Sequence, residues 1–338
     1  MVHASASRRD DRPSAVHGRV EDSLFAALDL GTNNCRLLVA RPSGDGFRVV
    51  DAFSRIVRLG EGLSRENVLT ETAMARAIEA LHICASKLRR RESIRFRGVA
   101  TEACRRADNG MSFLSRVRAE TGLLLEPIAP AEEANLALAG CAPLLDTTRP
   151  HAIVFDIGGG STEVMWLDQD EAGWRIADFV SLPFGVVPVA ERFGPDAVAT
   201  DAYESLVLEI AAALGDLDRR HSIAAQVAAG NVDMLGTSGT VTTLSGLAMG
   251  LRHYQRDRVD GSTLAFEEMR RHSAELAAQD FETRARHPCI GRERADLVVA
   301  GCAVLEGICR RWAVGSLRVA DRGLREGILL GMMREAAP

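Results

Sequence analysis

The sequence predicts an α/β protein made of two structurally related halves that face one another across a cleft. Three observations carry that expectation. The stretch Val154–Trp166 reads VFDIGGGSTEVMW: an apolar run meets an aspartate, three glycines follow, and β-branched and aromatic residues resume, the pattern of strand, tight turn and strand. A second copy, ALDLGTNNCRLLV at Ala27–Val39, places Asp29 on Asp156 and Gly31 on Gly158 when the chain is slid by 127 positions (156 minus 29), and such self-similarity marks an internal repeat. At 338 residues the chain is also long enough for two cores, since single domains usually run about 100–200 residues.

Composition narrows the class. With 46% hydrophobic and 26% charged residues the chain reads as an ordinary globular protein. A formal charge of −5 argues against nucleic acid as the main partner. Lys87 is the only lysine, so nearly all positive charge is arginine, the better fork for phosphate oxygens. Seven cysteines without a Cys-x-x-Cys pair read as reduced thiols of a cytoplasmic protein. Eight histidines without ligand spacing make a zinc enzyme the wrong expectation. Residues 1–22 are polar and read as a disordered tail, and no apolar run reaches membrane-spanning length.

The first domain is expected over residues 23–146. It opens with the Asp29 hairpin, and Phe47–Phe53 completes a three-strand meander. Met74, Ile78, Leu81, Ala85 and Leu88 then recur at steps of four and three, which puts them on one helical face. Arg89, Arg90 and Arg91 close that helix by opposing its negative end. Ile94–Ala100 reads as a strand delivering Thr101–Asn109 to the cleft edge, where Arg105 and Arg106 suit either a solvated helix face or an anion site. Leu123–Ile128 precedes Pro130, Glu132 and Glu133, a helix start in which proline and acids match the free N–H groups and the dipole.

Asp146–Pro150 interrupts the apolar pattern, so the second domain is expected over 147–338. It opens with the Asp156 hairpin, whose glycines let backbone N–H groups approach a phosphate without Cβ interference. Ser181–Val187 is expected to continue its meander, leading to a long helix around Tyr203–Leu214. Asp233–Leu244 repeats strand, glycine turn and helix start, with hydroxyls suited to phosphate oxygens or a nucleoside. Leu297, Gly301, Val304 and Ile308 share a helical face, with Gly301 allowing close packing. The strand Leu317–Ala320 meets DRGLREG at 321–327 and a last helix bearing Leu324, Ile328 and Met332. Asp321 and Arg322 are placed to close the cleft, whereas Arg325 and Glu326 suit an exposed helical face.

Two facing Asp-x-Gly turns form the pattern of the acetate kinase, sugar kinase, heat-shock chaperone and actin superfamily. Within it, DLGTNNCRLLVA and FDIGGGSTEV together resemble the exopolyphosphatase/guanosine pentaphosphatase (Ppx/GppA) family. The resemblance implies two ribonuclease H-like (actin-like ATPase) domains and the release of terminal orthophosphate from inorganic polyphosphate or guanosine pentaphosphate by metal-assisted attack of water. It implies phosphate contacts from Gly31, Thr32 and Asn33, from Gly158, Gly159, Gly160, Ser161 and Thr162, and from Gly236, Thr237, Ser238 and Gly239. It further assigns an anion contact to Arg105, the role of water-activating base to Glu133, a structural role to Glu132, and Mg²⁺ binding to Asp156 with Asp29 and Glu163. Mn²⁺ as substitute, K⁺ as stimulant and a homodimer are implied in the same way. Two departures stand out: Thr32 and Asn34 replace the family's usual serines, and the chain stops without the helical C-terminal domains of longer members. A small-molecule kinase would use the same turns, and so would a non-catalytic binder of guanosine tetra- or pentaphosphate, though a binder has no need of Glu133.

Overall fold

Continuous apolar runs such as Leu24–Leu30 need cover on both faces, and the computed structural model, which describes residues 23–44, 46–91, 93–194 and 200–337, supplies it. The expected tail at 1–22 lies outside the described residues. Strands β1 (Leu24–Leu30), β2 (Asn34–Ser43), β3 (Gly46–Ile56), β4 (Ile94–Ala100) and β5 (Leu125–Pro127) form one sheet in the order β3-β2-β1-β4-β5. Ala26, Leu28 and Leu30 share a core with Ile78 and Leu81 of helix Glu71–Arg89 and with Phe113 and Val117 of helix Gly110–Thr121. The opposite face of β1, Phe25 and Ala27, packs with the last helix.

The second sheet repeats the plan. Strands β6 (His151–Ile157), β7 (Thr162–Asp170), β8 (Gly173–Leu182), β9 (Val232–Thr237), β10 (Thr263–Ala265) and β11 (Ser316–Ala320) run in the order β10-β11-β9-β6-β7-β8. In each half the first three strands are an antiparallel meander and the next pairs in parallel with the first. Even the irregularities repeat: the meander register shifts between Val39 and Ala40, and again between Trp166 and Leu167, 127 positions on (166 minus 39). The repeat therefore extends to bulges, which a chance pair of hairpins has no reason to share.

Three expectations need correction. The third strand of the second meander is Gly173–Leu182, not Ser181–Val187; Pro183 offers no N–H for pairing, and Val186–Phe193 is a helix. The helix Val298–Arg311 is buried at every position from Val298 to Cys309 rather than on one face, because it is the central helix of its half. Gly301 does allow close packing, for a Cβ there would overlap Thr240 Oγ1. The third correction concerns the 147–338 domain. Its last helix, Leu324–Ala336, buries Ile328, Leu329 and Met333 against Phe25, Leu38 and Val99 of the first sheet.

Helix Pro130–Cys141 makes the converse crossing, burying Ala134, Leu138 and Cys141 against Val154, Met165 and Leu167 of the second sheet. The two helices meet where side chains vanish. A Cβ on Gly140 would overlap the Gly323 carbonyl, and one on Gly327 the Leu136 carbonyl. The halves are thus tied by helices exchanged across the 146/147 division. Among the described residues no helix is long and apolar enough to cross a membrane.

Candidate active site

Asp29 and Asp156 sit near the C-terminal ends of β1 and β6 and open onto one cleft of about 440 Å³, which Glu133 also lines. Both turns close in the same way: Gly31 N–H donates to Asn34 O at 2.8 Å and Gly158 N–H to Ser161 O at 2.9 Å. The turns also touch each other. A Cβ on Gly159 would stand 2.8 Å from Asn33 N and 3.1 Å from Thr32 Cβ, and one on Gly160 would overlap the Glu102 carboxylate. Side chains of the first turn therefore occupy the space that the glycines of the second leave open.

Glu133 lies in the first turn of its helix, where the first-turn N–H groups face an acid favourably. Arg105 Nη1 donates to Glu133 Oε2 at 2.9 Å and to the Ile128 carbonyl at 2.7 Å. Burial nevertheless pushes the Glu133 carboxyl up to about 8, helped by the nearby Glu163 and opposed by Arg105. Asp156 is raised to about 7, by burial first and Glu163 second. Asp29 is also raised by burial, but Arg36 and Arg325 pull it back. These shifts mark a cleft that stores protonatable carboxyls, a common property of functional sites.

The cleft gathers most of the expected contacts. Gly31, Thr32 and Asn33 line it from the first half; Gly158, Gly159, Gly160 and Ser161 line it from the second. Thr237, Ser238 and Gly239 join them from the turn after β9. Four expected residues stand elsewhere. Gly236 lies against the Phe155 ring, where a Cβ would meet Cζ at 2.5 Å. Thr162 is fully buried and donates its hydroxyl to Phe184 O at 2.8 Å. Arg105 is not in the cleft wall; it reaches Glu133 from behind, and its Nε and Nη2 carry no hydrogen bond among the described residues. Glu163 is likewise behind Ser161, and its Oε1 accepts from the hydroxyls of Ser161 and Ser181 at 2.7 Å each. Glu132 pairs with Arg97.

Among the described residues no three of His, Cys, Asp and Glu are grouped tightly enough to hold a metal ion alone. The cleft does hold buried oxygens without donors: Asp29 Oδ1, Asn33 Oδ1 and Asn34 Oδ1. Hard oxygen acceptors of this kind fit Mg²⁺, which usually takes one or two carboxylates and completes its shell with water and phosphate.

Several cleft residues escaped the sequence reading. Arg36 and Arg294 line it without a hydrogen bond or ion pair among the described residues. Arg36 stands directly across the strand pair from Asp29, so alternation along β2 could have found it; Arg294 lies in an irregular loop with no such signal. Arg325 and Glu326 do not decorate an exposed face. Both line the cleft, and Glu326 is 3% exposed, with Oε2 accepting from Gly323 N–H at 2.9 Å. Asp321 accepts from Tyr254 Oη at 2.6 Å, while Arg322 pairs with Asp260.

Comparison with known proteins places this geometry. A model described as the Ppx/GppA phosphatase family matches residues 38–336. The chain is similar to a solved Ppx/GppA family member from Aquifex aeolicus at 25% identity and TM-score 0.75, covering 94% of this chain and 99% of that one. It is similar to an exopolyphosphatase-like protein at 27% identity and TM-score 0.82, again over 94% and 99%. An exopolyphosphatase from Cytophaga hutchinsonii shares the fold at 22% identity, TM-score 0.80, over 93% and 98%. With two halves of the same strand plan opening onto one cleft and a family match that spans nearly its whole length, the chain belongs to the Ppx/GppA phosphatase family.

Proposed function

We propose that the chain hydrolyses the terminal phosphoanhydride of inorganic polyphosphate or guanosine pentaphosphate and releases orthophosphate. The observation that carries this reading is the Glu133 carboxyl in the cleft that both Asp-Gly turns line, with its proton affinity raised and its position fixed by Arg105. The N–H groups and hydroxyls of the two turns hold the oxygens of the terminal phosphoryl group, so that the reacting phosphorus is fixed between the halves. Arg36 and Arg294, which make no hydrogen bond or ion pair among the described residues, take the remaining anionic charge.

A water between Glu133 and the held phosphorus gives its proton to Glu133 as its oxygen bonds to phosphorus. The bridging P–O bond breaks and the shortened chain leaves with the electron pair. A carboxyl raised to about 8 is a better proton acceptor than an ordinary glutamate once ionised. Asp29 and Asp156, with the donor-free oxygens of Asn33 and Asn34, are the groups that would hold Mg²⁺. When bound, the ion neutralises phosphate charge. Arg105 keeps Glu133 pointed at the water.

The reading is tested by phosphate release from long polyphosphate, tripolyphosphate and guanosine pentaphosphate, each with and without Mg²⁺. Mg²⁺-dependent release of orthophosphate from at least one of them is expected. Tight binding of all three with no release would make the chain a sensor rather than a hydrolase.

A further inference from the structure

Besides the exchanged helices, the halves meet through side chains to which the proposed chemistry gives no part. Arg58, just after β3, forks onto Asp296, just before helix Val298–Arg311: Nη1 donates to Oδ2 at 2.7 Å and Nη2 to Oδ1 at 3.0 Å. Nη2 also donates to the Glu293 carbonyl at 3.2 Å. The partners are 238 positions apart, and their side chains keep 33% and 21% of their exposure. A second bridge lies close by in sequence, where Gly62 N–H donates to Glu191 Oε1 at 2.8 Å.

Both ends of the Arg58 pair lead into the site. On the near side, Val57 and Arg58 donate their N–H groups to Asn33 O at 2.8 and 3.0 Å, and Gly60 donates to Thr32 O at 2.9 Å. The segment is therefore hung on the first phosphate turn. On the far side, Asp296 lies between Arg294 and Leu297, both of which line the cleft. Arg58 itself has φ of 47°. Residues with a side chain rarely take this left-handed conformation, and it persists where several contacts fix it together.

We propose that Arg58 is a positioning residue: by forking onto Asp296 it ties the first phosphate turn to the Glu293–Leu297 segment, so that Asn33 and Arg294 meet a bound polyanion together. When the pair opens, both walls are released and ligand exchanges. Bidentate geometry suits the task, because an arginine fork fixes orientation as well as distance. The activity arm of the test rests on the proposed hydrolysis; the exchange arm does not.

Arg58→Gly removes the fork while keeping a backbone that glycine adopts readily, and Asp296→Asn keeps the size of its partner. Each variant is expected to raise KM for tripolyphosphate about fivefold with kcat within about twofold, the pattern of lost binding rather than lost chemistry. The double variant is expected to match the worse single, since both changes remove one interaction. Without substrate, the amides of Val57, Arg58 and Gly60 should exchange with solvent about tenfold faster in Asp296→Asn, although the substitution lies in the other half. Unchanged exchange at those amides, or single effects that multiply in the double variant, would overturn the proposal. If no phosphate ester or anhydride is hydrolysed, the exchange result alone decides it.

Discussion

The two phosphate turns hold equivalent places in the repeat yet differ in bulk and in charge. Where the first has Thr32, Asn33 and Asn34, the second has Gly159, Gly160 and Ser161. Across the strand pair, Asp29 faces Arg36, whereas Asp156 faces Glu163 at the same 127-residue offset (163 minus 36). The bulk difference lets the turns touch, because the glycines leave room for the opposing side chains. The charge difference sorts the acids. Arg36 offsets the upward push of burial at Asp29, while Glu163 adds to it at Asp156 and at Glu133. The repeat thus has two matched positions: burial raises both aspartates, and the residue opposite each one either offsets that push or adds to it.

The largest expected effect breaks the difference in bulk. Gly159→Ala would press a methyl group against Asn33 N at 2.8 Å, whereas the nearest neighbour of a Cβ on Gly31 is 3.4 Å away. Gly159→Ala should therefore lower turnover by about a hundredfold, as a shift of about 1 Å at a reacting group does, and Gly31→Ala by less than about tenfold. Equal losses would mean that the turns are not fitted to each other.

The next sharpens the difference in charge. Glu133 must be ionised to accept a proton, so kcat/KM should climb with pH through a midpoint near the value of about 8 set by burial and Glu163 and level off above it. Glu163→Gln removes a like charge and should move the midpoint to lower pH, while Arg105→Gln should move it higher. Shifts in the opposite directions would discard this account of the site's electrostatics.

A smaller effect appears in stability. A carboxyl with a raised value in the folded protein contributes stability at low pH and loses it as pH rises through that value. For Asp156 the window runs from the ordinary carboxylate range to about 7. At pH 8 Asp156→Asn should therefore stabilise the ligand-free protein, by on the order of 2–4 kcal/mol. Asp29→Asn should gain less, because Arg36 and Arg325 already favour its charge. Matching gains in denaturant midpoints would remove the Arg36/Glu163 exchange as the cause. The smallest effect belongs to Thr32→Ser, which keeps the hydroxyl that donates to Glu102 at 3.3 Å and loses only the methyl packed on Gly60. Activity should fall by no more than about fourfold, since a methyl is worth about 0.8 kcal/mol.

Strand ends, glycine turns and the Glu133 helix start were legible because each is a local signal with its own chemistry. The repeat was legible because a 127-residue slide needs no structure to detect. The last helix misled because periodicity tells which face is apolar and not which sheet will cover it; its packing on the first sheet and the glycine contacts at Gly140 and Gly327 reveal the exchange. Thr162 and Gly236 belong to motifs that line the cleft, yet a motif does not say which members turn inward. Arg58 and Asp296 carried no signal at all, since 238 residues separate them and each alone reads as a solvated charge.

The central claim is that Glu133 primes water against a phosphoryl group held between the two turns. Single-turnover phosphate release and equilibrium binding of the same substrate, compared between the natural protein and Glu133→Gln with Mg²⁺ present, test it most directly. The expected result is at least a hundredfold slower release, in line with a general base worth on the order of 10²–10⁴-fold, with affinity nearly unchanged. Unaltered release from Glu133→Gln would contradict the account.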